Sequence, residues 1–274
     1  MLQPNFFNNV FVIPILNVLL LFYKVFSTLR IPGDFGWSVI GLTVLVRLIL
    51  HPFFKQQIET AKKMAEIKPH LDRLSKKHQK DPKTLQQEQL KLYQQAGINP
   101  ASGCLFMIIQ IPIFIGLYNT LSLFLLNGGK GKIINEINKV LYFSFLKIQT
   151  INPWFFGFNL ALIPAKSGQW HYYLIPIITG ILQYLQVAAS QPASTEISVD
   201  KENLTKEKKD IIKHDQKDKV EEKDDFQKAM NTQMKFVFPL MIAWFSYSLP
   251  VGLSLYWNIF SIFTIIQYRK VYKK

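Results

Sequence analysis

The stretch FGWSVIGLTVLVRLILHPFF, residues 35–54, decides the fold. Twenty residues carry a single formal charge, Arg47. A helix of about 18 or more apolar residues is long enough to cross the ~30 Å hydrocarbon core of a bilayer. Further runs of the same kind lie at 104–126, 172–189, 234–249 and 251–268. The chain is 49% hydrophobic, a fraction that soluble domains also reach. Its arrangement is what discriminates, because apolar residues and charges fall in separate blocks. The expected fold is all-α: a polytopic helical membrane protein with five core transmembrane helices.

The segments between the spans complete the organisation. Residues 1–34 hold an apolar stretch, 6–29, interrupted by Pro14, Asn17 and Lys24 and ended by Pro32-Gly33-Asp34. It reads either as an interfacial helix or as a further span. Residues 55–100 are polar and rich in helix formers. Ile58, Ala61, Ala65, Ile67, Leu71 and Leu74 recur at helical spacing, Asp81-Pro82 marks a turn, and Leu85, Leu92 and Tyr93 carry the stripe onward. That pattern predicts a helical hairpin outside the membrane, closed by Gly97-Ile98-Asn99-Pro100. The remaining expected segments are span 101–126, external loop 127–171, span 172–190, charged loop 191–232, spans 233–249 and 251–268, and a basic tail 269–274. Pro250 and Gly252 supply the tight turn between the last two spans.

The net charge is +14. In a soluble protein such a balance points to nucleic acid. In a membrane protein it points to cytoplasmic Lys and Arg facing anionic lipids. The hairpin, the charged loop and the tail alternate correctly to share one side and hold most of the loop cations. That side is expected to be cytoplasmic, with the C-terminus there, although Lys130, Lys132 and Lys147 sit in the opposite loop. The N-terminus has neither the basic region of a secretory signal nor an Arg- and Ser-rich transit composition, which favours a bacterial plasma membrane.

Arg47 is the sharpest chemical signal. A charge within a span costs several kcal/mol unless it meets water, a partner or the interface. Thr43 lies four residues earlier on the same helical face. Gln110, Asn119, Gln183, Gln186, Asn258 and Gln267 place polar groups in other spans. Each alone reads as an interhelical hydrogen bond, and together they fit a shared wet cavity. Tyr256 and Trp257 read as interface aromatics or cavity walls. Catalytic constellations are lacking: there is no phosphate-binding GxxxxGK[ST] loop and no HExxH, and the core spans hold no Asp or Glu. One cysteine, Cys104, excludes a Cys-cluster metal site. Neither an enzyme nor a metal or other cofactor is expected.

Four segments in order resemble the YidC family of membrane protein insertases, whose relatives include the mitochondrial and thylakoid oxidase-assembly insertases. Gly36-Trp37 through Thr43, Arg47 and Pro52 is similar to the family's Arg-bearing span. Tyr93, Gly97-Ile98-Asn99-Pro100 and Gly103-Cys104-Leu105 resemble the end of its hairpin, continued by Gln110-Ile111-Pro112-Ile113-Phe114. Pro250-Val251-Gly252-Leu253 with Leu255-Tyr256-Trp257 resembles its last-span entry. The resemblance implies a hydrophilic groove, open to cytoplasm and lipid, with Arg47, Thr43, Gln183 and Trp257 lining it. Gln110, Tyr256 and Asn258 complete the candidate substrate contacts. It also implies that the first stretch is an interfacial helix on the outer face. The implied partners are nascent membrane proteins, the ribosome, the signal-recognition targeting machinery, a Sec translocon and anionic lipids. The chain departs from the family in having no cysteine before Cys104 to carry a lipid and Phe106 where Pro is common. Two rival readings stay open: a small-anion transporter using Arg47, and a membrane assembly factor without insertase activity.

Overall fold

Proline and polar caps set where the helices begin. The computed structural model describes residues 2–3, 5–78, 81–98, 101–125, 131–190 and 233–272; the side chains of 76, 82, 101–110, 233–234 and 271–272 fall outside that description. Helix α1, Ile13–Thr28, continues a π-helical turn at Asn8–Val12. Helix α2 is Asp34–Ile49, α3 is His51–Lys77 and α4 is Pro82–Gln95. Prolines stand in the first turn of α1, α3 and α4, where the missing N–H has no intrahelical role. Helix α5 is Ala101–Leu125, with Pro112 inside it, and α6 is Lys132–Lys139. Helices α7, Leu174–Ser190, α8, Phe238–Ser248, and α9, Val251–Tyr272, complete the set.

Among the described residues three helical stretches are long and apolar enough to cross a membrane: Asn8–Thr28, Trp170–Ser190 and Val251–Lys270. The run read above as one helix from Phe35 to Phe54 is divided. It breaks at Leu50, and α3 leaves α2 at 66°. Pro52 explains the break: it has no N–H to donate to the Leu48 carbonyl, and its ring crowds that carbonyl, so α2 cannot run on unbroken. Gln110 lies on α5 but within the stretch whose side chains fall outside the description, as does loop 191–232 altogether.

Helix α9 lies at the centre. It packs on α2 along one side and on α7 along the other; α7 in turn packs on α8, and α2 on α1. Between apolar helices in lipid, burial from water supplies little, so close approach and polar contacts decide packing. Gly180 shows this: a Cβ there would stand 3.1 Å from the Cβ of Ala243 on α8. Gly41 likewise faces the Phe22 ring of α1.

The segment 131–173 is folded onto one end of this bundle. Asn17 of α1 accepts from the Tyr142 amide (2.7 Å) and donates to the Val140 carbonyl (3.4 Å). Asn138 clasps Ile148 through both of its backbone polar groups. Strands β1, Trp154–Phe155, and β2, Phe158–Asn159, form a short antiparallel ribbon. Its two turn residues, Phe156 and Gly157, both have positive φ, at 44° and 86°. That handedness matches the twist of a hairpin. The Leu160 and Leu162 carbonyls accept from the amides of Gly252 (2.9 Å) and Val251 (3.0 Å), capping the start of α9.

At the other end, α3 and α4 form the hairpin. Asp81 caps α4, accepting from the amides of Lys83 (3.2 Å) and Thr84 (3.1 Å) and from the Thr84 hydroxyl (2.5 Å). The Thr84 hydroxyl and amide hold the Asp81 carboxyl below its ordinary value. A carboxylate lowered on folding contributes stability above its unfolded pKa and loses it as pH falls through the folded one. Amide exchange at Lys83 and Thr84, corrected for intrinsic rates, is therefore expected to speed up on acidification below the ordinary carboxylate range. In Asp81→Ala the same amides should exchange faster at neutral pH and lose that acid response.

Candidate functional site

Arg47 lies on the last turn of α2 and is only 2% exposed. Its guanidinium is held almost wholly by α9. Nη2 donates to the Phe260 carbonyl (2.8 Å) and to the Thr264 hydroxyl, and Nη1 donates to Gln267 Oε1 (3.2 Å). Residues 260, 264 and 267 recur at helical spacing, so one stripe of α9 faces the arginine. The rings of Phe54 and Phe260 flank the guanidinium carbon, with centroids at 4.0 and 3.8 Å. That range is favourable for a cation over an aromatic face. Nε is buried with no hydrogen-bond partner. Gln267 also meets His51 Nδ1 (3.3 Å), carrying the polar chain to the α2–α3 break.

The ion pairs among the described residues are Lys55–Glu59 and Lys91–Glu88, both on the hairpin. No described carboxylate stands within ion-pair distance of Arg47. Its acceptors are neutral, so hydrogen bonding is largely met while the positive charge is not cancelled.

The other candidates distribute over the two sides of α9. Thr43 is buried one turn above Arg47, with its hydroxyl donating to its own helix at the Val39 carbonyl (2.7 Å). Gln183 of α7 is buried and accepts from Ser261 (3.3 Å). Ser246 of α8 bonds both Thr179 of α7 (3.2 Å) and Ser254 of α9 (2.7 Å). Gln183, Ser254 and Ser261 thus belong to a seam between α7, α8 and α9. Asn258, one turn from both serines, shares that side by helical spacing, and its Oδ1 is buried without a partner. Trp257 stacks on Phe114 of α5 (5.6 Å, 13° between planes), and Tyr256 is buried near Phe260. The structure therefore brings Arg47 together with Gln267. It sets Gln183 and Asn258 on a neighbouring stripe of α9, through Ser261 and its helical spacing, apart from the one that holds the arginine.

Phe54, Phe260 and Thr264 were not singled out from the sequence. For Phe260 and Thr264 the signal was present only as spacing along α9, and the partner that gives it meaning lies 213 and 217 residues away; Phe54 read only as the end of an apolar run.

Comparison with known proteins adds a family. Residues 25–274 match the family model described as 60Kd inner membrane protein. The chain is 32% identical over 238 residues to the inner membrane ALBINO3-like protein 2, chloroplastic, of Chlamydomonas reinhardtii. That match covers 83% of this chain and 47% of the algal protein. It is 28% identical over 235 residues to the membrane protein insertase YidC of Caldanaerobacter subterraneus, covering 86% and 84%. The chain thus spans about half the length of the algal relative and most of the bacterial one. In three dimensions it resembles an active YidC insertase crystal structure with TM-score 0.50 at 23% identity. The likeness covers 99% of this chain and 47% of the other, and it supports the all-α membrane fold.

Proposed function

Because this chain belongs to the 60Kd inner membrane protein family, that of the YidC insertases and their chloroplast relatives, we propose that it inserts nascent membrane proteins by drawing short polar tails toward Arg47. The observation that carries this reading is the buried guanidinium with neutral acceptors and no described carboxylate at ion-pair distance. Such a charge attracts an acidic tail, and the low-dielectric surroundings strengthen the attraction over its value in water.

Arg47 is closed in by Phe54 and Phe260, so substrate entry requires those rings and the α2–α9 contact to part. A tail carboxylate then takes over donors that Thr264 and Gln267 satisfy at rest. Thr43, Gln110, Gln183, Tyr256, Trp257 and Asn258 provide polar or amphipathic contacts along the substrate's path. The substrate's apolar helix partitions into lipid, which supplies the driving force at about 25 cal/mol per Å² of apolar surface. No covalent step is involved.

The five-span scheme places the hairpin, loop 191–232 and the C-terminus in the cytoplasm of a bacterium, with the chain in its plasma membrane. The hairpin is the element offered to the ribosome, the targeting machinery or a Sec translocon. A cleft of about 320 Å³ between α3 and α4 is lined by His70, Arg73, Lys77, Lys91 and Glu88; Glu88 pairs with Lys91, and Arg73 and Lys77 are the cations it would offer an anionic partner.

The test is reconstitution of the purified chain in lipid vesicles with a single-span substrate bearing a short acidic tail. Protease protection of the tail should exceed that in protein-free vesicles and should fall when the tail acids become amides. Protection no greater than in empty vesicles would remove the insertase reading.

A further inference from the structure

The segment 131–173 exposes an unusual set of side chains. Tyr142, Phe143, Phe145, Trp154, Phe156 and Trp170 are between 51% and 74% exposed. Phe156 occupies a position with φ 44°, which costs a bulky L-residue roughly 1–2 kcal/mol relative to ordinary backbone. Asn or Gly would hold the same turn without that cost. A phenylalanine kept at a strained, exposed tip indicates that the tip touches something apolar.

Position argues that the apolar contact is lipid. The ribbon packs on the first turn of α2, with Trp37 edge-on to Phe155 (5.7 Å) and Phe156 (6.1 Å). Trp170 opens the 3-10 turn that leads into α7, and Tyr173 meets Tyr247 near the end of α8 (6.1 Å). Aromatic groups therefore lie at the same end of α2, α7 and α8, followed along α7 by the exposed apolar residues Ile177 and Ile181. Exposed Lys139, Lys147 and Lys166 lie among them. Trp and Tyr at span ends, with lysines beside them, have the chemistry of the headgroup region, where one side of a ring is apolar and the other wet.

We propose that residues 139–173 form an interfacial lipid anchor, its aromatic rings seated at the headgroup–acyl boundary and its lysines on lipid phosphates, and that this anchor sets the depth of Arg47 in the bilayer. Arg47 follows Trp37 by ten residues, about 15 Å along a helix. That is half of a ~30 Å hydrocarbon core, so an anchor at Trp37 holds the arginine near the midplane. The proposal rests on the membrane fold alone and does not depend on insertase activity.

The test uses full-length chains that keep one tryptophan, Trp154 or Trp170, the other four changed to Phe, in vesicles of zwitterionic and anionic phospholipid. Lipids brominated at successive acyl depths should quench both residues, most strongly when bromine is nearest the headgroup. Quenching by aqueous iodide with none by bromolipid overturns the anchor. In a chain keeping only Trp257, the substitutions Phe143→Ser, Phe156→Ser, Trp154→Ser and Trp170→Ser should shift the depth profile relative to the chain with Trp154→Phe and Trp170→Phe; an unchanged profile overturns the depth-setting role. Should the single-tryptophan chains fail to fold, Phe156→Cys in a Cys104→Ser chain with native tryptophans serves instead. Slow reaction with a membrane-impermeant maleimide in pure lipid vesicles supports the anchor. Fast reaction there, with protection only in native membranes, means a protein covers the tip and overturns lipid as the occupant.

Discussion

Arg47→Ala is expected to remove most insertion of acidic-tailed substrates, by tenfold or more, while the protein itself accumulates. The two effects separate because the arginine costs the fold as well as serving it. Breaking a buried charge pair by removing one partner leaves an uncompensated charge, whereas removing the charge does not. The groups left behind tolerate the loss: the Thr264 hydroxyl also donates to the Phe260 carbonyl (2.8 Å), and Gln267 retains His51. Function lacks that cushion. A carboxylate about 4 Å from a cation at an effective dielectric near 20 gains about 4 kcal/mol. A third of that is already a tenfold change in equilibrium. Arg47→Lys keeps the charge but loses the planar fork that reaches three acceptors between two rings. It is expected to fall between wild type and Ala. Rescue of an insertase-depleted strain at matched protein levels is the measurement. Full activity in Arg47→Ala would take the charge out of the mechanism.

The second large effect is structural. Gly36→Ala is expected to destabilise the fold by about 1–3 kcal/mol, the range for overpacking a filled site. A Cβ at Gly36 would clash with three ring atoms of Phe155, and one at Gly33 would lie 2.7 Å from the same ring. The two glycines form the notch that receives the ring. Phe155→Ala should relieve the clash, so the double variant is more stable than the sum of the two single losses predicts. Thermal unfolding in detergent across this double-mutant cycle reads the coupling. Simple additivity would mean that the ribbon can leave the notch at little cost.

How far the sequence carried the fold depends on what kind of signal each element has. Long apolar runs made the all-α membrane fold legible, because hydropathy and helical period are local. The break at Leu50 was not read, because Leu50, Phe53 and Phe54 continue the apolar run across it; Pro52 was the available clue. The ribbon at Trp154–Asn159 was read only as part of the external loop 127–171. Its turn is Phe-Gly rather than the Asn-Gly or Asp-Gly that signals a hairpin. Arg47 was legible as a lone charge in an apolar run. Its surroundings were not, since hydrogen bonds between α2 and α9 leave no mark on either segment alone. Gly36, quoted from the sequence only as part of a motif, acquires a reason from Phe155.

The side chains that satisfy Arg47 are made last. Phe260, Thr264 and Gln267 leave the ribosome 213 to 220 residues after it. At about 5–20 residues per second that delay is roughly 10–40 s. Throughout it, α2 carries an arginine with none of its α9 acceptors in place. An isolated span of this kind is held less firmly, since a charge within a span costs several kcal/mol unless it meets water, a partner or the interface. The chain's own biogenesis therefore poses the difficulty it is proposed to solve for others: a polar group must wait in the bilayer until a later helix arrives.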